Sequence, residues 1–230
     1  MSKRTVQWKE NRVLSVETRK GLHVLAQMLK NPYLRFYNAF KTGEEEWESM
    51  QCSELDILFT KAVITKSFLK HSNARLLKNV LPDTEKKDSV FWIKTHSGFR
   101  QVTVWPDTEN ETLATVVGSS PGGVLVEMDL YKGGIYDHPS GIFDRIIDES
   151  IPLDSDEVIN NSELMGLGTF PILNERLYLC HKFQTNVDPY KCLIFDQPPP
   201  SEYKLAIEII SGAGTKERRE QIIEEYFNCV

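Results

Sequence analysis

The chain has 230 residues, 40% of them hydrophobic and 26% charged, a composition that excludes collagen-like, coiled-coil, low-complexity and disordered classes. The length suits one large domain or two small ones with a core that needs no disulfide staples. The net charge of −6 conceals a change of sign: residues 1–105 hold 18 Lys+Arg against 11 Asp+Glu, and residues 106–230 hold 9 against 22. Such asymmetry fits two surfaces with different partners, two lobes that attract each other, or charge unevenly spread over solvated faces.

From Val13 the apolar residues fall into the short runs VLSV, LHVLAQML and YLRFYNAF, separated by ETRKG and by Lys30-Asn31-Pro32. Runs of this length between turn residues predict a curled antiparallel meander of three strands. GEEEWES (43–49) reads as an exposed loop or a short helical turn. ILFTKAVITKSFLKHS (57–72) is rich in β-branched residues and predicts a strand to about Thr65. After the polar break LPDTEKKDS, SVFWIK (89–94) and RQVTVWP (100–106) predict two strands joined by THSGF as a hairpin loop, and TLATVVG and GVLVEMDL two more, separated by SSPG.

Beyond Tyr131 the texture changes. YKGGIYDHPSG is loop-like, SDEVINNSELMG has the acidic start of a helix, and PILNERLYLCHKF (171–183) places Ile172, Leu173, Leu177, Leu179 and Cys180 near helical spacing. CLIFD (192–196) reads as a short buried strand, stopped by Pro198, Pro199 and Pro200. YKLAIEII (203–210) alternates Tyr203, Leu205, Ile207 and Ile209 against Lys204 and Glu208 and also reads as a strand. TKERREQIIEEYF (215–227) is the clearest helix, with Thr215 as its cap and Ile222, Ile223, Tyr226 and Phe227 as its stripe. Strands first and mixed segments afterwards predict an α+β fold, with a β-rich region over residues 1–130 and a mixed α/β region over 131–230 packed on it.

The four cysteines, Cys52, Cys180, Cys192 and Cys229, are neither dense nor regularly spaced, so free thiols in a reducing compartment are expected. The N-terminal MSKRTVQWKENR is followed by no apolar h-region, and no window approaches the roughly 18 apolar residues of a span. No signal peptide or membrane segment is therefore expected, and the expected location is the cytoplasm.

Catalytic and ligand motifs fail in turn. SGAGTKE (211–217) lacks the spacing of a nucleotide loop and reads as a glycine turn. The five histidines form no HxH or HxxxH pair, and the local group Cys180-His181 with Cys192 reads as a buried cysteine beside scattered ligands, so neither a metal nor another cofactor is expected. No GxSxG occurs, and the adjacent Asp137-His138 side chains would diverge. The basic N-terminal half (Lys3, Arg4, Lys9, Arg12, Arg19, Lys20 near Trp8) carries no recognisable nucleic-acid motif in a chain acidic overall, so no nucleic-acid partner is expected.

What stands out is FDRIIDESIPLDSDE (143–157), with Asp144, Asp148, Glu149, Asp154, Asp156 and Glu157 against one Arg145. Carboxylates crowded on an exposed loop stay solvated and make a poor acid/base pair. They suit a surface that attracts a basic protein, or are simply solvated.

VQWKENRVLSVETRKGLHVLAQMLKNPYLRFYNAF and LDILFTKAVITKSFLKHS resemble, over roughly the first 100 residues, the bacterial immunity proteins of polymorphic toxin systems known as the immunity protein 26 family. The resemblance lies in hydrophobic patterns: a strand, a charged turn, a strand like GLHVLAQML, an aromatic strand and an ILF-type strand. It implies a cytosolic, non-catalytic protein that binds and neutralises the C-terminal domain of a cognate toxin, and it carries over no catalytic residue. The alternative is an enzyme, a hydrolase whose active site is assembled from distant segments.

Overall fold

The computed structural model describes residues 6–43, 47–85, 91–130 and 145–227. The glutamates at 44–46, the loop-like stretch 131–141, Asp144 and Cys229 lie outside them. The fold is α+β, as the run pattern predicts. Its contacts divide the chain into two units: residues 1–88, 167–187 and 216–230, and residues 89–166 and 188–215. The division is thus discontinuous rather than a cut near residue 130, because segments from the C-terminal region complete the N-terminal sheet. By sequence the first unit carries 21 Lys+Arg against 16 Asp+Glu and the second 6 against 17, so the sign change between halves persists between units.

The first unit is built on the expected meander. β1 (Val13–Glu17), β2 (Leu22–Met28) and β3 (Tyr33–Thr42) pair antiparallel in succession. β5 (Ile57–Val63) joins β3, and β6 (Arg75–Leu77) closes the other side on β1. β14 (Leu167–Gly168) adds a parallel strand on β5, giving the order β14-β5-β3-β2-β1-β6 among the described residues. β5 ends near the expected place. The rest of its segment is a helix, α1 (Thr65–His71), whose Phe68 and Leu69 are buried.

β1 and β2 are buried at every position, so the sheet is covered on both faces. Alternation sends Leu14, Val16, Val24, Ala26, Met28, Leu34 and Phe36 to one face, where they meet Phe68 and Leu69. The same core receives Leu173, Leu177 and Cys180, at i, i+4 and i+7 of α3 (Ile172–Phe183), the helix read from PILNERLYLCHKF. The other face carries Val13, Leu25 and Tyr37 under Trp47, Cys52 and Val80. A parallel pair, β4 (Met50–Gln51) with β7 (Val80–Leu81), belongs to this cover. The terminal helix α6 (Lys216–Tyr226) forms as expected, with Ile222 and the following Phe227 buried and the Phe227 ring edge-on to Phe170.

The second unit corrects three readings. β8 (Phe91–Thr95) and β9 (Phe99–Val104) are strands, but Gly98 does not turn one back on the other. β8 pairs with β11 (Gly123–Glu127) and β9 with β10 (Thr112–Val117), so 91–104 and 112–127 are the two arms of one long ribbon. The ladder breaks where residues 96–98 face 118–122, two extra residues in the returning arm. CLIFD is not a strand: most of it lies in helix α4 (Pro189–Ile194), started by Pro189 and by Asp188, whose carboxylate accepts from Tyr190 N at 3.0 Å. YKLAIEII is likewise helical, α5 (Lys204–Ile210), and buries Ala206 and Ile207 below the Tyr203 that precedes it, at i, i+3 and i+4. β12 (Arg145–Asp148) flanks β11, and β13 (Glu163–Leu164) flanks β8 after the short helix α2 (Asp156–Asn161). No helix among the described residues is long and apolar enough to cross a membrane.

Candidate partner-binding site

The acidic run leaves the ribbon as β12, the outer strand of the order β12-β11-β8-β13 among the described residues. All four residues of β12 are exposed, and Arg145 pairs with Glu127 on the neighbouring strand. Asp148 then closes a tight turn, accepting from Ser150 N at 3.0 Å. Ile151 dips into the unit at 3% exposure and donates its amide to Gly123 O at 3.0 Å, which fixes the chain beneath the exposed stretch. Asp154 follows on a turn, and Asp156 and Glu157 stand in the first turn of α2, where negative charge complements the helix N-terminus. Ile159, 1% exposed, anchors that helix, and Gln197 Nε2 donates to Leu153 O at 3.3 Å and to Asp156 Oδ1 at 3.4 Å.

Of the six carboxylates read from the sequence, the structure places Asp148, Glu149, Asp154, Asp156 and Glu157 at exposed positions of this segment; the sixth, Asp144, lies outside the described residues. Three large aliphatics share the segment: Ile146, Ile147 and Leu153 are 48%, 39% and 44% exposed. The periodic acid pattern did not single them out. The run is therefore a mixed surface in which apolar side chains stand among solvated acids. Chemically it can attract a cationic surface and give it apolar contacts.

The other sequence candidates resolve separately. Cys180 is buried on the inner side of α3, where its sulfur accepts from Val187 N at 3.4 Å, and the His181 ring lies 4.8 Å from that of Phe40. Burial pushes the Cys192 thiol up to about 11, and Asp188 adds to the rise. Among the described residues no group of three His, Cys, Asp or Glu could hold a metal ion. Gly212, Ala213 and Gly214 all have positive φ, the backbone of a tight turn after α5. Asp137-His138 lies outside the described residues.

The sequence reading missed the polar side chains buried in the first unit. Gln27, fully buried, donates to Asp83 O at 2.8 Å and Asn11 Oδ1 at 3.2 Å, and its Oε1 accepts from Tyr37 Oη and Asp83 N, both at 2.8 Å. Arg35 and Asp83 form a buried ion pair at 3.7 Å, and burial raises the Tyr37 hydroxyl. On α3 the consecutive Asn174, Glu175 and Arg176 are all buried. Asn174 binds Glu17 O at 2.7 Å, Glu175 takes a two-pronged bond from Arg19 at 2.6 and 2.8 Å, and Arg176 donates to Val187 O at 2.8 Å while stacking 3.7 Å over Phe59. Burial raises the Glu175 carboxyl against the opposing pull of Arg19. The signal was present as polar residues inside strongly apolar runs: Gln27 in LHVLAQML, Arg35 in YLRFYNAF and NER in PILNERLYL.

Beside Gln27 and Tyr37, the sheet face away from α3 opens into a cavity of about 500 Å³, lined by Ser15, His23, Lys41, Trp47, Arg75 and Lys78 among others.

No curated protein and no solved structure matches the chain. A family model described as a domain of unknown function, DUF8309, matches residues 3–197. That match covers most of the chain, which belongs to the DUF8309 family.

Proposed function

We propose that the chain is a cytosolic immunity protein that binds and neutralises a cognate toxin domain without catalysis, and that residues 145–157 form its contact surface. One observation carries the reading: Ile146, Ile147 and Leu153 stand exposed among Asp148, Glu149, Asp154, Asp156 and Glu157 on a single segment pinned from below by Ile151 and Ile159. The acids would steer a basic partner, and the aliphatics would supply desolvated contacts that hold it. A toxin domain that attacks nucleic acid must itself be basic to hold phosphate, so an acidic strip can occupy the surface its substrate needs. The strong acidity of the second unit supports the same direction of attraction.

The test is association kinetics with the C-terminal domain of a large toxin, should one be encoded immediately upstream of this chain, preceded by co-purification. Replacing Asp154, Asp156 and Glu157 with alanine should slow association by roughly tenfold at low salt and flatten its salt dependence, because rim charges act mainly on the on-rate. Ile146→Asp with Ile147→Asp should instead speed dissociation. Wild-type rates for the triple variant at both low and high ionic strength would remove this segment from the interface, and failure to co-purify would remove the toxin.

A further inference from the structure

We infer that the groove along β9, in the second unit, takes up an extended basic segment of a partner protein as an added strand. β9 pairs with β10 on one edge, and among the described residues no strand pairs with its other edge. That edge borders a groove of about 560 Å³, lined on one side by each residue of 100–106 and on the other by Leu193 and residues 196–199. Side chains of a strand alternate between its faces, so a hollow that meets consecutive residues lies along the edge and meets the backbone. Gly118 N donates to Gly98 O at 2.8 Å, and the register then gives the bonds facing β10 to residues 100, 102 and 104. The backbone amides and carbonyls of Gln101 and Thr103 therefore point into the groove.

The opposite wall cannot complete the ladder itself. Pro198 and Pro199 have no N–H, and Gln197 N already donates to Cys192 O at 2.8 Å. Side chains instead tie the walls at a fixed spacing. At one end Arg100 donates to Leu193 O at 2.7 Å and Ile194 O at 3.0 Å and pairs with Asp196 at 2.8 Å; at the other Trp105 Nε1 donates to Pro199 O at 2.8 Å. An unpaired strand edge alternates donors and acceptors, a pattern that another extended backbone matches. A residue in a sheet occupies about 3.4 Å by 4.8 Å by 10 Å, so the groove holds about three to four residues of an added strand. Charge sets the character of that strand. The turn beyond Trp105 exposes Asp107, Glu109 and Glu111, with no Lys or Arg over residues 105–112, and Gln197 of the far wall donates to Asp156 of the acidic segment. The unit as a whole holds 6 Lys+Arg against 17 Asp+Glu, which favours lysine or arginine beside the paired residues and repels a nucleic acid. The occupant need not be a toxin domain, so this surface stands whether or not residues 145–157 bind one.

Random peptides of about ten residues, displayed on phage, are selected against the full chain, and an enriched peptide is synthesised for titration. Enriched sequences should alternate β-branched or aromatic residues and carry Lys or Arg beside them. On binding, the amides of Gln101 and Thr103 should slow in hydrogen exchange by about tenfold or more. Thr103→Pro removes a donor that faces the groove and none that faces β10, so the melting temperature should hold while affinity falls on the order of tenfold. Glu109→Lys, exposed on the turn, leaves β9 intact and should weaken binding about threefold or more at low salt, whereas Glu54→Lys, exposed in the first unit, should leave it within about twofold. Selection that enriches no such pattern overturns the inference. So does a peptide that binds Thr103→Pro and Glu109→Lys as it binds the natural chain, or one that leaves the exchange of Gln101 and Thr103 unchanged.

Discussion

Removing Arg19 should destabilise the first unit far more than neutralising its partner does. The Glu175 side chain is 0% exposed and that of Arg19 21%, and two hydrogen bonds of 2.6 and 2.8 Å join them. Arg19→Ala leaves a carboxylate buried on α3 with its counter-charge gone, a change that costs about 3–5 kcal/mol. Loss of the guanidinium stack 3.6 Å over Tyr178 adds about 0.5–1 kcal/mol. Glu175→Gln keeps the shape and an acceptor, and the partly exposed Arg19 can recruit water, so about 1–2 kcal/mol is expected. The double variant should be more stable than the sum of the two losses implies, with a coupling of about 2 kcal/mol. Acidity provides a second handle. Burial already holds the Glu175 carboxyl above its unfolded value, so the stability it contributes is present below the unfolded pKa and lost as pH rises through the folded one. Without Arg19 the folded value climbs further, so the Arg19→Ala penalty should be largest near pH 7 and shrink toward pH 5. Urea unfolding at both pH values, with hydrogen exchange of the β1–β3 amides to locate the loss, measures this. A cost below about 1 kcal/mol at pH 7, or equal costs at the two pH values, would refute the reasoning.

Gln27→Leu should cost about 3 kcal/mol or more in urea melts, since it removes the acceptor of the Tyr37 hydroxyl proton and the partners of both backbone groups of Asp83 in a buried site; a loss under about 1 kcal/mol would mean that water replaces the side chain. A Cβ at Gly123 would stand 2.8 Å from Lys94 O and 2.9 Å from Ile93 Cγ2, so Gly123→Ala should destabilise by about 1–3 kcal/mol and loosen exchange protection in β8 and β11. Unfolded, unreduced protein should titrate with four thiols, matching the four cysteines of the chain. In the native protein at pH 8, Cys52, Cys180 and Cys192 should react slowly, the last because burial holds its thiol near 11; prompt native labelling of Cys192 would contradict that burial.

The meander was legible because everything that specifies it is local: short apolar runs and turns at ETRKG and Lys30-Asn31-Pro32, with neighbours in sequence becoming neighbours in the sheet. α3 and α6 were legible because each is long enough for a helical stripe to show. The four strands of the ribbon were legible, but their pairing was not, since a glycine in THSGF serves a strand interruption as well as a turn, and the choice is made by Phe91 meeting Glu127, 36 residues away. YKLAIEII satisfies both periods over its eight residues, and only the burial of Ala206 rather than Leu205 decides for helix. For α4 a signal existed: Asp188-Pro189 is a cap followed by a first-turn proline, but it lies outside the apolar window CLIFD.

The acidic segment and the cavity differ in how sequence could reveal them. The acids of 145–157 fall within ten residues of the chain, Asp148 to Glu157, so a window finds them, although the exposure of Ile146, Ile147 and Leu153 depends on Ile151 taking the inward place. The cavity residues come from β1, β2, β3, β6 and the β3–β4 and β6–β7 connections, separated by up to 64 positions between Ser15 and Asn79. Each sits in a run dominated by apolar residues and looks there like an isolated polar exception. Pairing turns the exceptions into a group: Ser15 opposite Arg75 and His23 opposite Lys41 are consequences of antiparallel register, and a shift by one residue would send all four to the apolar face under α3. That face tolerates no such slip, since it would bury charge in place of Leu14, Val24 and Phe36. The apolar side of the sheet therefore holds the polar side in register, and Phe36→Ala should lower stability by about 3–5 kcal/mol in urea unfolding.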